Sequence, residues 1–271
     1  MKKHFSTILL FLVFGIGLCL LLYPTVSDYW NSFHQSRAIA SYTDAVSQID
    51  DKEYERIWQA AVSYNENIRA KAGNPYVLTD EEKAQYNDLL NISGNGVMGY
   101  IEIPTIDVSL AVYHGTGESV LQVAVGHIEG SSLPVGGEGT HCVLSGHRGL
   151  PSARLFTDLD KMTEGDVFLL HILDDTLAYE IDQILIVEPE NTDALKSEEG
   201  KDYCTLVTCT PYGVNSHRML VRGHRVENEK VANIRVTADA TRIDAALVAP
   251  AIAIPILLIL LLGMLIKYRK R

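Results

Sequence analysis

Charge is missing from two long stretches of this 271-residue chain. No Asp, Glu, Lys or Arg falls between Lys3 and Asp28, and none between Asp244 and Lys267. Each run can cross a bilayer core, which takes about 20 helical residues. A small-x-small cleavage pattern is also lacking after the first apolar core, where Leu20-Leu-Leu-Tyr-Pro24 is bulky. That argues against a removable signal peptide and for a retained span. Leu18 is likewise the wrong size to precede a lipoprotein cysteine at Cys19. Lys2-Lys3 precede the first run and Lys267-Tyr-Arg-Lys-Arg271 follows the second. The expectation is a cell-membrane protein with both termini cytoplasmic and everything from about Asp28 to Asp244 outside. Pro250 and Pro255 would kink the second span, which membrane helices tolerate.

A positive surplus is absent as well. Lys and Arg number 23 against 34 Asp and Glu, a formal net charge of −11, which argues against nucleic acid as a partner. No C-x-x-C or H-x-x-x-H spacing occurs, so no zinc site is expected, and no other metal or cofactor. Cysteines are few: Cys19 in the first apolar run, then Cys142, Cys204 and Cys209. Three outside the membrane is an odd count, and an odd leftover points to a free reactive thiol. Cys204 and Cys209, five apart, would face opposite sides of one strand and so are poor disulfide partners.

What is present falls into segments. Ile39, Tyr42, Val46 and Ile49, then Tyr54, Ile57, Ala61 and Tyr64, recur at helical steps, with a break and an Asp N-cap at Asp50-Asp51. Gly73-Asn-Pro-Tyr76 ends the second helix, and a short helix is expected from Asp80 to Leu89. From Val97 the period changes to that of strands: 98–104, 108–113, 141–145, a hairpin 166–187 turning at Asp174-Asp175, and strands around Cys209 and Met219. Ser119 to Ile128 reads as a short helix and Phe156 to Met162 as a helical turn. Seven or eight short strands with turns between them indicate a mainly β barrel or sandwich. The expected divisions are a membrane segment 1–27, a helical region 28–95, a β domain 96–226, a polar stalk 227–244 and a second span with basic tail 245–271.

The chemistry-bearing stretch runs from Thr205 to Gly223. A β-branched strand delivers Cys209 to its end, Pro211, Gly213 and Asn215 supply a loop, and an antiparallel return brings Arg218 back beside the thiol. A base is needed to complete the set, and Leu144-Ser-Gly-His147-Arg-Gly-Leu-Pro151 offers one after a short apolar strand. Rivals exist. His217 adjoins Arg218, so at most one of that pair faces Cys209; His224, Arg148 and Arg222 are further candidates. Cys142 and Cys204 read as small core hydrophobes.

The Thr205-Leu-Val-Thr-Cys209 segment, the Arg nine residues on and the Ser145 to Lys161 segment resemble the class C, pilus-assembling sortases over roughly Gly96 to Val226. That resemblance implies a closed eight-stranded β-barrel with N-terminal helices and two flanking membrane helices. It implies Cys209 as nucleophile, His147 as general acid and Arg218 as electrostatic stabiliser. The implied partners are pilin or other surface-protein precursors with LPXTG-like signals, cleaved at Thr-Gly through a thioester and joined to a lysine amine. A lid over the site is also implied, within 73–79. Asn74-Pro75-Tyr76 would be its triplet, with Asn where the family usually has an Asp facing the arginine; the same residues also read as a plain helix-ending turn. Two other functions fit the residues: a sortase attaching proteins to peptidoglycan, and a tethered peptide-binding barrel without catalysis.

Overall fold

The computed structural model describes residues 2–228. Helix α1 (Lys2–Ser47) runs unbroken across the expected boundary near residue 27, with Pro24 inside it. Its apolar first half is long enough to cross a membrane. Beyond Asp28 one face turns to the rest of the protein, and Gln35, Tyr42 and Val46 are buried at the seven- and four-residue steps of a helical stripe. The Tyr42 hydroxyl donates to the Met98 carbonyl at 3.1 Å and accepts from the Leu173 N–H at 2.7 Å. Helix α2 (Asp51–Ala70) starts where Asp50 accepts the Glu53 N–H at 2.8 Å. Helix α3 (Asp80–Asp88) opens on a reciprocal capping box between Thr79 and Glu82.

Eight strands follow: β1 (Val97–Ile103), β2 (Val108–His114), β3 (Val125–His127), β4 (Thr140–Ser145), β5 (Val167–Ile172), β6 (Asp175–Val187), β7 (Asp202–Thr210) and β8 (His217–Val226). They close a barrel in the order β1-β2-β3-β4-β7-β8-β6-β5. The sheet is mixed, with β2·β3 and β4·β7 parallel and the remaining pairs antiparallel. Two local expectations change. The stretch read as one helix from Ser119 to Ile128 is a single turn, α4 (Glu118–Leu121), followed by β3, whose three buried residues bridge β2 and β4. Such a short buried strand has no alternation to show, so helical spacing was the stronger signal. The β5–β6 turn sits at Leu173 and Asp174, one residue early, because Leu173 is held in the core and bonded to Tyr42.

Alternation along the strands sorts side chains between two clusters. Cys142 and Leu144 from β4, Cys204 and Leu206 from β7, Val221 from β8, and Phe168 and Tyr179 fill the interior. Val143, Val207 and Leu220 point the other way and form a second cluster with Leu195, on the outer wall. From residue 229 on, the expected stalk and second span lie outside the described residues.

Candidate active site

Cys209 lies one residue before the end of β7, on the face it shares with Val207 of the outer cluster. Its register partner on β8 is Arg218, which shares the face of Leu220. The thiol and the guanidinium therefore project from directly opposed backbone positions. One guanidinium nitrogen, Nη1, donates to the carbonyls of Asn215 (3.2 Å) and His217 (3.1 Å), which ties the arginine to the loop it closes. That loop is itself tight, with the N–H groups of Val214 and Asn215 both on the Pro211 carbonyl.

His147 follows β4, the parallel neighbour of β7. The last ladder pair is Ser145 with Val207, and the pairing continues past the strand end. Gly146 N–H donates to Val207 O at 3.0 Å, Thr208 Oγ1 donates to Gly146 O at 2.8 Å, and Arg148 Nη1 donates to Thr210 Oγ1 at 3.4 Å. These bonds bracket His147 on one side and Cys209 on the other, so the two half-buried residues stand at matching heights. The loop behind His147 is folded back on itself, since the Phe156 N–H donates to the His147 carbonyl at 3.1 Å and the Gly149 N–H to Thr157 Oγ1 at 3.1 Å. Gly149, at φ +76, lies so close to the Tyr212 ring that a Cβ there would come within 2.8 Å of it. A side chain at 149 would push the histidine loop off the cysteine loop.

Partners separate the rivals. Arg148 is nearly buried and is held by Asp160 as well as Thr210. Arg222 pairs with both Asp182 oxygens at 3.0 Å and lies over the Tyr203 ring. His217 is held by Ser216 and Glu188, and His224 is the register partner of Tyr203, far down the strand from Cys209. Cys142 and Cys204 are fully buried register partners of each other. Asp160 and Thr210, which support the histidine and cysteine loops through Arg148, were not among the residues singled out from sequence; nothing in their spacing marks them.

A model of the sortase domain matches residues 101–226. Sortase C1 of Streptococcus agalactiae is 53% identical over 71% of this chain and 99% of that one, with a TM-score of 0.69. The chain belongs to the sortase family. Sortase C of Streptococcus pneumoniae, whose structure is reported as informing catalysis and pilin substrate specificity, is 46% identical over 70% of this chain and 97% of that one, with a TM-score of 0.64. Sortase D of Bacillus subtilis is 31% identical over 131 residues; this chain spans 63% of that relative's length. The fold is thus the sortase barrel, and the family is one of cysteine transpeptidases.

In this sortase the segment between α2 and α3 lies on the same outer wall as Cys209. Tyr76 packs against the Val143, Leu195, Val207 and Leu220 cluster, and its hydroxyl donates to the Leu195 carbonyl at 3.4 Å. Burial raises its phenol pKa. Gly130, at φ +85, makes the seat: a Cβ there would meet the Pro75 carbonyl oxygen at 2.3 Å. Asn74 Oδ1 accepts the Tyr76 N–H at 3.0 Å, so the side chain expected to face Arg218 instead closes its own turn. Beside this segment lies an open cavity of about 650 Å³ lined by Asn74, Tyr76, Thr116, Glu129, Glu190 and Leu195.

Proposed function

We propose that this sortase is a membrane-anchored transpeptidase that joins pilins. Cys209, as thiolate, attacks the Thr-Gly carbonyl of an LPXTG-like signal on a secreted pilin. An unperturbed thiol, with pKa about 8.5, is mostly protonated near neutrality. A guanidinium opposite the sulfur stabilises the negative charge of the tetrahedral oxyanion. His147 gives its proton to the departing glycine amine, leaving an acyl thioester on Cys209. A lysine amine of a second pilin then attacks the thioester; His147 takes up the proton, the isopeptide bond forms and the thiol leaves. The observation that carries this reading is the backbone geometry, with Arg218 opposite Cys209 in the β7·β8 ladder and His147 bracketed beside it. The similarity to class C sortases supports pilins as the substrate class.

Within the same reading, 73–79 is a lid that covers the substrate groove until the sorting signal displaces Tyr76. The helix α1 anchors the domain in the membrane, with the barrel outside. The decisive experiment is mass spectrometry of the protein after incubation with an LPXTG-type peptide. An acyl adduct on Cys209, absent from Cys209→Ala, is expected, together with pilin ladders that the same variant cannot make. An unmodified Cys209 under turnover conditions would refute the reaction.

A further inference from the structure

We propose that an aromatic stripe on α1 seats in the headgroup layer of the bilayer and holds the His147 loop at that height. The inference rests on the reading of α1 as a membrane anchor. Tyr23, Val26, Tyr29, Trp30 and Phe33 recur at the three- and four-residue steps of one helical face, and all are exposed, Tyr29 to 74% and Trp30 to 65%. The opposite face of the same turns is occupied. Asp28 Oδ1 accepts the Arg154 N–H at 2.8 Å, Asn31 Nδ2 donates to the Ser152 carbonyl at 3.0 Å, and Gln35 bonds Val123 and Ala111.

The bilayer is the occupant that the sequence order favours. Leu9 to Ser27 is uncharged, and at 1.5 Å per residue spans about 28 Å, close to the thickness of a hydrocarbon core. Asp28 is the first charge after it and Arg37 the first cation. The stripe lies at that exit, where amphipathic Tyr and Trp rings are most favourable. The Arg37 guanidinium sits over the Phe33 ring at 5.5 Å, one turn farther out, where lipid phosphates lie.

The consequence concerns the site. Ser152 and Arg154 belong to the loop that continues from His147, so the catalytic rim is stapled to α1 at the very turns that carry Tyr29 and Trp30. A precursor anchored in the same membrane would meet the rim at a set height.

The test uses the full chain with Trp58→Phe, which leaves Trp30 as its one tryptophan, in vesicles whose lipids carry bromine near the top of the acyl chains. Quenching of Trp30 is expected, weaker with bromine near the bilayer centre. Co-flotation with vesicles but no quenching would overturn the stripe and leave the anchor standing; failure to float would overturn both. Emission that ignores bromine but shifts with protein density would assign the stripe to a second copy of the helix, and overturns the proposal equally. In a second arm, the triple change Tyr29→Ser, Trp30→Ser, Phe33→Ser is expected to lower turnover of a membrane-tethered precursor about tenfold, through lost positioning, and to leave a soluble peptide unaffected. An equal fall on both substrates, or none, overturns the link to the site. A wild-type chain inactive on the soluble peptide counts against the proposed reaction and leaves the bromolipid result independent of it.

Discussion

Two cysteines stand five residues apart on β7, and the strand turns them to opposite worlds. Cys204 faces the interior, where burial pushes its thiol far up and the neighbouring Cys142 adds to the shift. Nearby His127 has both ring nitrogens occupied, Nε2 by the Ser132 carbonyl at 2.8 Å and Nδ1 by the Tyr86 hydroxyl at 2.9 Å. Cys209 is half-exposed. Arg218 bonds only through Nη1, while its other donors make no hydrogen bond among the described residues. Cysteine and histidine stand on both sides of the barrel wall. What differs is whether their hydrogen bonds are already made, and a saturated group has nothing left for a substrate.

The strongest way to break this comparison is to exchange the cysteines' fates. Cys209→Ala should abolish thioester and product, with His147→Ala lowering kcat by roughly 10²–10⁴-fold and Arg218→Ala by roughly 10²–10³-fold. Cys142→Ala and Cys204→Ala should keep turnover and lose about 1 kcal/mol of stability, read by urea unfolding. Turnover lost in the interior variants and retained in Cys209→Ala would invert the assignment.

A smaller effect is expected at the support beneath the site. Arg148→Ala and Asp160→Asn should each reduce kcat about tenfold with KM nearly unchanged, since they loosen the His147 loop without touching the groove. A KM effect alone would place Arg148 in substrate binding instead.

Lid variants sharpen the outer half of the comparison. Tyr76→Ala should speed alkylation of Cys209 about threefold, by uncovering the wall around Val207. Asn74→Asp should slow it, since a carboxylate closes the Tyr76 turn more firmly than an amide. Equal rates in all three proteins would leave 73–79 as a simple turn.

The smallest effect is on pH. Burial holds the His141 pKa below its ordinary 6.5, against the Lys196 carbonyl that favours charge. Below about 6.5 the unfolded chain therefore binds more protons than the folded one, and the stability this histidine contributes is lost as pH falls. Tm should drop from pH 7 to pH 5, with His141→Asn flattening the slope by about 3 °C. A slope unchanged by the substitution would mean that other groups set it.

Much of this was legible in the chain. Helix starts at Asp50 and Thr79 carry their own caps, and the long apolar half of α1 shows in the absence of charge between Lys3 and Asp28. Cys209 and Arg218 are joined by a short loop, so local turn chemistry predicts their approach. The three-residue β3 was not legible, because its identity depends on β2 and β4 lying to either side.

Local order along the chain was enough to indicate strands, caps, a long apolar helix and a thiol opposite a guanidinium, since each arises from residues near one another in sequence. Which histidine stood level with Cys209, and that Cys142 would lie against Cys204, were decided only when β4 and β7 paired in parallel, some 60 residues apart, and Arg222 was claimed by Asp182 only when β6 paired with β8. Parallel strands need a long crossover, and no local pattern specifies the register at its far end.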